Sequence, residues 1–361
     1  MNIRSQGSIS GKKILVTGGA GFIGSNLVDE LLHHGNKVVC LDNFSTGKRE
    51  NLEEAKQFKD FILIEGDIRN YEDCQKAVEG CDLVFHQAAL GSIPRSIADP
   101  MTSTDVNIGG FVKVLFAAHQ AGVKRLVYAA SSSTYGDHPD LPKEEHKIGK
   151  ALSPYAITKY VDELFAKNFT EIYGIETIGL RYFNVFGRRQ DPDGGYAAAI
   201  PKFLCSLIKH ESPKINGDGT NSRDFTYIDN VIQANLLAAE VPKEELVEKL
   251  AAYYSSIDDH FDREKGVSEV FNVAFGEREN LNNLVRNLKS NLSFFDPEIT
   301  NVKIIYGPKR KGDIPHSLAS IKKASEVLDY APLYNLEQGL SKACEWYWNN
   351  LKAIKETDYP Q

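Results

Sequence analysis

The chain has 361 residues, enough for one large domain or two unequal lobes that share a cleft. A quarter of the residues are charged and no apolar run is long enough to span a bilayer, which argues against a helical membrane protein. A net charge of −7 argues against general nucleic-acid binding, and the scattered Cys40, Cys74, Cys81, Cys205 and Cys344 form neither a disulfide framework nor a metal-ligand spacing, so reduced thiols and no metal are expected.

Residues 1–11 are polar, lack an apolar signal core and read as a flexible lead-in to a cytoplasmic protein. Lys13 to Thr17 is a compact apolar strand, followed at once by Gly18-Gly-Ala-Gly21-Phe22-Ile23-Gly24 and an amphipathic helix from Ser25 to His34. Glycines so placed allow a tight turn and the close approach of a pyrophosphate to a helix N-terminus, although the first two stand one residue further apart than in the usual dinucleotide fingerprint. The second strand, Lys37 to Leu41, ends in Asp42, where a carboxylate can accept the hydroxyls of an adenosine ribose and would repel a 2′-phosphate, favouring NAD over NADP. The bland reading of Asp42 is a solvated strand end. Asn43, Ser45, Thr46 and Gly47 continue as a polar loop able to wrap the ribose.

A third strand, Phe61 to Glu65, leads to Asp67 and Ile68, placed to flank an adenine. A fourth, Asp82 to His86, runs into Gln87, Ala88 and Ala89, small enough to let a cofactor backbone approach. The loop from Leu90 to Arg95, with Gly91 and Ser92, lies on the same sheet edge and is placed to touch a substrate. His86 reads as a satisfied strand residue and His33-His34 as an exposed helix end. Pro100 to Ala121 reads as one long helix with polar Asn107 near its middle. This alternation predicts an α/β fold with a doubly wound parallel sheet.

Arg125 to Ala130 is a fifth strand that delivers Ser131, Ser132 and Ser133 at its C-terminal end, the edge at which open α/β sheets bind ligands. Ser153-Pro154 reads as an N-cap and first-turn proline, starting a helix that runs to about Tyr173. Tyr155 and Lys159 stand four apart on it and share a face. An ammonium beside a phenol favours the phenolate, the form a general base needs, and nearby serine hydroxyls can hold the oxygen that loses its proton. A tyrosine and a lysine at this spacing occur by chance in many helices; the order after an upstream glycine turn gives the pair its weight.

Ile175 to Leu180 is a sixth strand, followed by Arg181-Tyr182-Phe-Asn184-Val185-Phe-Gly187. We read residues 12–187 as a dinucleotide-binding domain and 188–361 as mainly a smaller α/β substrate lobe, with some segments returning to the first domain. In that lobe Tyr196 to Lys209 is predicted helical, Ile215 to Phe225 short and extended, Pro242 to Gly266 a surface helix and loop, and Glu269 to Val273 a strand. A final amphipathic helix, Leu336 to Leu351, carries Trp346 and Trp348 as packing anchors.

Five segments together carry a resemblance: Thr17 to Gly24, Leu41 to Gly47, Ser131-Ser-Ser-Thr-Tyr-Gly136, Tyr155-x-x-x-Lys159 and Arg181 to Gly187. The chain resembles the extended short-chain dehydrogenase/reductase superfamily, within it the nucleotide-sugar 4-epimerases, and most of all the bacterial UDP-N-acetylglucosamine 4-epimerases of surface-polysaccharide pathways. The likeness covers nearly everything from Lys12 to Leu351.

The resemblance implies a Rossmann fold, a bound NAD and a UDP-sugar substrate. It implies that Tyr155 takes the proton of the sugar 4-hydroxyl, Lys159 holds the nicotinamide ribose, Ser131 is the hydroxyl partner, and Ser132 and Ser133 bind the same oxygen or an N-acetyl group. Ala89, Asn107, Tyr182 and Val185 would join the glycine turn around the cofactor. For the UDP moiety it points to Asn184, Ala198, Lys202, Asn216, Arg223, Arg310 and Asp313, arginine suiting a diphosphate and aspartate a ribose. Ser317 falls where bulk restricts epimerases to non-acetylated hexoses, so a small residue leaves room for an N-acetyl group. Pro315 stands where a basic residue is expected, which leaves open the choice among acetylated, plain and carboxylated sugars. Related 4,6-dehydratases carry an acidic pair, and decarboxylases a glutamate, where this chain has Ser132, Ser133 and Thr134; that favours epimerisation. The alternatives are a UDP-glucose or UDP-glucuronate 4-epimerase and, more remotely, a non-catalytic NAD-binding sensor. Such relatives often dimerise through the helices holding Asn107 and Tyr155, so a homodimer is expected.

Overall fold

A computed structural model describes residues 9–192, 198–309 and 314–357. Six strands, β1 (Lys13–Thr17), β2 (Lys37–Asp42), β3 (Phe61–Glu65), β4 (Leu83–His86), β5 (Arg125–Ser131) and β6 (Glu176–Tyr182), join a further strand, Ser268–Val273, in one parallel sheet. The order across the sheet is β3-β2-β1-β4-β5-β6 and then Ser268–Val273. It reverses direction between β1 and β4, which opens a crevice beyond the strand C-termini there.

Register brings those ends level. Thr17 stands beside Leu41 on one side and His86 on the other, and Ser131 beside Tyr182. A strand covered on both faces reads as a continuous apolar run, and successive side chains serve opposite layers. Ile14 and Val16 pack with Leu27 and Leu31 of helix α1 (Phe22–His33), whereas Leu15 packs with Val39, Val84 and Phe111 in the opposite layer.

The C-terminal half shares this core. Helix Ile228–Glu240 places Val231, Ile232 and Ala234 in the same cluster as Ile14 and Phe85, together with Leu284, Leu340 and Tyr347. Ser268–Val273 runs parallel to β6 as the seventh strand of the sheet. Short pairs complete this half: Val185–Phe186 with Thr226–Tyr227, Ser222–Arg223 with Glu279–Asn280, and Lys214–Asn216 with Ile305–Gly307. The last helix spans Leu336–Thr357, and Trp348 stacks on Phe295 with ring centroids 5.5 Å apart.

Three expectations need correction. The single helix expected over Pro100 to Ala121 is α-helical at Pro100–Thr104, π-helical at Asp105–Gly110 and α-helical again at Phe111–Gln120. Gly110 packs directly on Ile68, where a Cβ would lie 2.4 Å from Cδ1, and the π turn carries Asn107 into the interior. The loop expected at Leu90 to Arg95 contains the start of a short helix, Ile93–Ala98, because the Ser92 hydroxyl accepts the Arg95 N–H as an N-cap. Pro242 to Gly266 is the surface helix and loop expected, and its helix, Lys243–Ser256, is anchored by Leu246, Leu250 and Tyr253, which join the main core. His33 is exposed, but the His34 side chain is only 5% exposed and lies 3.2 Å from Glu30. The helix expected from Tyr196 is seen as Ala199–Ile208; residues 193–197, like Met1 to Ser8 of the lead-in, lie outside the described residues.

Candidate active site

The β1–α1 turn is shaped by glycines that tolerate no side chain. Gly18 has φ +69°, and a Cβ there would stand 2.7 Å from the Ala88 backbone; one on Gly24 would stand 2.1 Å from the Gly18 carbonyl oxygen. Gly21 opens α1, and no side-chain oxygen among the described residues caps it. The first amides of α1, at Phe22, Ile23 and Gly24, therefore make a short cradle suited to an anion.

Asp42 sits at the end of β2, 8% exposed, with Oδ2 accepting the Ala20 N–H at 2.9 Å and Oδ1 the Phe44 N–H at 2.8 Å. Burial pushes its carboxyl up, and the two amides pull it back. Both oxygens keep lone pairs for further donors. Asn43 donates to Asp67 at 2.8 Å and accepts the Ser45 N–H at 3.0 Å, joining the loops after β2 and β3. The Arg69 guanidinium holds the Asp67 carboxyl down to about 2. Ser45 and Thr46 are exposed, Gly47 presses on Ala20 and Asp42, and Ile68 is buried against Gly110. A cradle for pyrophosphate with a neighbouring carboxylate for ribose hydroxyls fits NAD, and a Cβ at Gly18 or Gly24 would force apart the backbone that shapes it.

Beyond β4 the polar groups are interlocked. Thr17 Oγ1 lies 2.9 Å from His86 Nδ1 and accepts the Ala88 N–H at 3.4 Å. Burial, and then the charge of Lys159, lower the His86 ring to about 3, so it stays neutral; its Nε2 is buried without a partner among the described residues. Gln87 donates to Asn235 at 3.1 Å, and Asn235 donates to the Tyr182 hydroxyl at 2.9 Å. Burial pushes the Tyr182 phenol up to about 12. Asn107 accepts the Leu90 N–H at 2.8 Å and donates to Thr158 at 3.0 Å, tying the Ala88–Ala89 segment to the helix carrying Tyr155. Val185 lies half-buried beyond Tyr182.

That helix, Pro154–Tyr173, begins as its sequence predicts, with Ser153 Oγ accepting the Ala156 N–H at 3.1 Å. The Tyr155 N–H donates to Ser96 Oγ at 3.0 Å, and the Tyr155 ring is half-buried. Lys159, 2% exposed, reaches across to β5 and donates to the Ala129 carbonyl at 2.9 Å, two residues before Ser131. It also donates to Asp162 at 3.2 Å. Ser131 Oγ accepts both the N–H and the hydroxyl of Ser133, at 3.2 and 2.9 Å, which leaves its own proton to offer a substrate oxygen. Ser132 and Ser133 stay half-buried in the turn that follows.

On the C-terminal side, the Asp224 carboxylate gathers the amides of Phe275, Gly276 and Ala319, and its carbonyl accepts the Asn184 side-chain N–H at 3.0 Å. Burial pushes the Asp224 carboxyl up to about 7. The Arg223 guanidinium donates to the Ser222 and Pro315 carbonyls at 2.9 and 3.2 Å, and the Ser317 N–H donates back to Ser222 at 3.0 Å. Asn184, Arg223 and Ser317 are thus linked through Ser222 and Asp224. Asn216 ends a strand paired with Ile305–Gly307. Arg310 and Asp313, next along that chain, lie outside the described residues. Ala198 precedes helix Ala199–Ile208, which carries Lys202. Open space surrounds Gly91, whereas the Ser92 hydroxyl is occupied as a cap.

Sequence reading passed over Ser96, Asp162, Thr158, Asn235 and Asp224. Ser96 and Asn235 meet partners far away in the chain and give no local signal; Asp162, three residues after Lys159, shares its face and could have been found.

Comparison with known proteins agrees with this geometry. The profile of the "NAD dependent epimerase/dehydratase family" matches residues 14–250, more than half of the chain. A curated relative, a putative UDP-glucose 4-epimerase of Methanocaldococcus jannaschii, is 33% identical over 339 residues, covering 93% of this chain and 99% of the relative. The UDP-N-acetylglucosamine 4-epimerase from Methanobrevibacter ruminantium M1, solved with UDP-N-acetylmuramic acid, superposes with a TM-score of 0.83 at 35% identity, covering 95% of this chain and 100% of that one. The UDP-glucose 4-epimerase from Thermotoga maritima, solved with UDP-glucose, gives 0.81 at 34% identity, covering 94% and 99%. The glycine cradle, the Tyr155–Lys159 helix and these full-length likenesses agree: the chain belongs to the NAD dependent epimerase/dehydratase family.

Proposed function

We propose that this enzyme interconverts the C4 epimers of a UDP-N-acetylhexosamine, UDP-N-acetylglucosamine and UDP-N-acetylgalactosamine, to supply surface polysaccharide synthesis in the cytoplasm. Its class is that of the NAD-dependent UDP-sugar 4-epimerases. The observation that carries the reading is the Lys159 ammonium held against the Ala129 carbonyl, on the strand that presents Ser131 and on the helix face shared with Tyr155.

In this reading Tyr155, as phenolate, takes the proton of the sugar 4-hydroxyl while the Ser131 hydroxyl holds the same oxygen. Lys159 favours the phenolate by its charge and keeps an N–H for the nicotinamide ribose. NAD+, when bound, would supply the hydride chemistry at C4, held by the glycine turn, Asp42 and Lys159. Ser132, Ser133 and Thr134 offer no carboxylate at the positions where dehydratases and decarboxylases carry theirs. Asn184, Ala198, Lys202, Asn216, Arg223, Arg310 and Asp313 would hold the UDP moiety on the 188–361 side, with Gly91 and Ser92 opposite. Ser317 would leave room for the acetyl group.

A UDP-glucose epimerase is the second reading, favoured by relatives of that name with equal coverage. Incubating the purified protein, without added cofactor, with UDP-N-acetylglucosamine, UDP-glucose or UDP-glucuronate and resolving the products separates the readings. The Tyr155→Phe variant should lose conversion of every sugar; intact conversion would refute the mechanism and point to a different base.

Exposed Ile157, Tyr160 and Leu164 form a stripe on the Tyr155 helix, beside Ile97 and Met101. We assign this face to a homodimer, which light scattering should show at twice the chain mass. Among the described residues no helix is long and apolar enough to cross a membrane.

A further inference from the structure

Lys159 sits between two groups on one helix face, with Tyr155 four residues before it and Asp162 three residues after it. The Lys159 and Asp162 side chains are 2% and 0% exposed, so solvent screens neither. An ammonium has three N–H donors. One is spent on the Ala129 carbonyl at 2.9 Å and one on Asp162 Oδ2 at 3.2 Å. The remaining N–H is aimed by the two that are fixed. Asp162 thereby does for Lys159 what Ser96 and Ser153 do for the start of the helix: it removes freedom.

We propose that Asp162 is a positioning residue for the reaction: it anchors the Lys159 ammonium from the side opposite Tyr155 and offsets its charge, setting how strongly Lys159 favours the Tyr155 phenolate. The proposal rests on the reading of Tyr155 and Lys159 given above.

The surroundings leave Asp162 free to do this. Glu163, its neighbour on the helix, is tied to Arg181 of β6 at 2.9 and 2.7 Å, so that carboxylate is already neutralised. From β5 the buried Tyr128 phenol faces the same region, and burial holds it neutral. From β4 comes neutral His86. Glu269, on the strand Ser268–Val273, is held by Lys323 at 2.5 Å. The second oxygen of Asp162, Oδ1, is buried without a hydrogen-bond partner among the described residues. Lys159 is the cation that answers Asp162. Burial pushes the Asp162 carboxyl up to about 7 against the pull of Lys159. The charge of the pair therefore changes near neutral pH, where a base must work.

The test is the Asp162→Asn holoenzyme, isosteric and still able to accept from Lys159 through its amide oxygen. With the negative charge gone, Lys159 acts on Tyr155 uncompensated. The acid limb of kcat/KM should move to lower pH by up to about one unit, the size of one charge at roughly 10 Å in a partly screened interior, and by less the further the limb lies below the pH at which Asp162 itself takes up a proton. The phenolate ultraviolet band that vanishes in Tyr155→Phe should move with it, and this optical readout needs no turnover. Asp162→Ser, which shortens the side chain and loosens the anchor, should weaken NAD retention on gel filtration as well. An unmoved acid limb and phenolate band in a folded Asp162→Asn protein would overturn the proposal. Failure of both variants to fold would assign Asp162 to the core and overturn it too. The underlying reading fails separately, when Tyr155→Phe keeps converting sugar.

Discussion

Arg181 grips Glu163 with two nitrogens, Nε to Oε1 at 2.9 Å and Nη2 to Oε2 at 2.7 Å, and so fastens β6 to the helix that carries Tyr155. The side chains are 3% and 8% exposed, and the third guanidinium nitrogen donates to the Glu145 carbonyl at 2.9 Å. Removing one partner of such a pair strands the other as an uncompensated buried charge, which costs about 3–5 kcal/mol. Glu163→Gln and Arg181→Met should each lower the unfolding free energy, read from urea titration, by an amount in that range. The double variant removes both charges and should lose clearly less than the sum; strictly additive losses would contradict the pairing.

The glycine turn makes a second prediction. A methyl on Gly24 would meet the Gly18 carbonyl oxygen at 2.1 Å, and one on Gly18 would meet the Ala88 backbone at 2.7 Å in a left-handed conformation. Backbone must shift in both cases, and strain of this kind runs to about 1–3 kcal/mol. Gly18→Ala and Gly24→Ala should bind NAD roughly tenfold more weakly or worse, about 1.4 kcal/mol being a factor of ten. Gly91→Ala is the control, since nothing lies within 4 Å of its added methyl. Its melting temperature and NAD content should match the wild type, and a comparable loss there would mean that the clash argument is wrong.

What could be read in advance follows the range of the forces involved. Lys13–Thr17 and Phe61–Glu65 were bounded to the residue because a parallel strand, whether buried within the sheet or half-buried at its edge, shows as a run of consecutive apolar residues. The start at Ser153-Pro154 was equally legible, capping being a matter of adjacent residues. The π turn at Asp105–Gly110 was not, because its contacts are remote in sequence: Gly110 packs on Ile68, some forty residues upstream. The helix opened by Ser92 is also legible, since Ser-Ile-Pro is an N-cap followed by a first-turn proline. The spacing of Asp162 from Lys159 is legible in the sequence, but its burial is not: the fold leaves the two side chains 0% and 2% exposed. Asn184, Arg223 and Ser317 were named from a resemblance, and Asp224, the residue that links them, stayed invisible because its partners at Phe275 and Ala319 are about fifty and ninety-five residues away.

A third prediction concerns pH and Asp224. Its folded carboxyl is pushed up from 3.8 to about 7 by burial, the Ala319, Phe275 and Gly276 amides opposing. A raised carboxyl means that the folded state binds the proton more tightly than the unfolded state. Its contribution is therefore whole below about pH 4 and is lost as pH climbs toward 7. The loss amounts to roughly 4 kcal/mol on the scale of about 1.4 kcal/mol per unit. Asp224→Asn cannot titrate, so its urea midpoint, although lower at acid pH for want of one acceptor oxygen, should close on the wild type between pH 5 and 8. A gap that stays constant over that range would place the titration elsewhere.

The fourth prediction bears on the sugar. Ser317 is held by its backbone, its N–H bonded to the Ser222 carbonyl at 3.0 Å, while Ser222 Oγ lies 2.8 Å from His316 and the Ser222 N–H is bonded to the Pro315 carbonyl. A larger side chain at 317 cannot retreat by moving the main chain without breaking that ladder, so its bulk must project from the same point as the serine hydroxyl. Forcing extra volume into an occupied site costs about 1–3 kcal/mol, up to roughly a hundredfold in kcat/KM. Ser317→Tyr should impose that loss on UDP-N-acetylglucosamine and UDP-N-acetylgalactosamine while leaving UDP-glucose within about threefold on the same scale. The acetylated and plain sugars differ at this position only by the acetamido group, so the ratio of the two losses isolates the contact. Equal losses on both would mean that residue 317 bears on the nucleotide or the fold and that acetyl selectivity is set elsewhere.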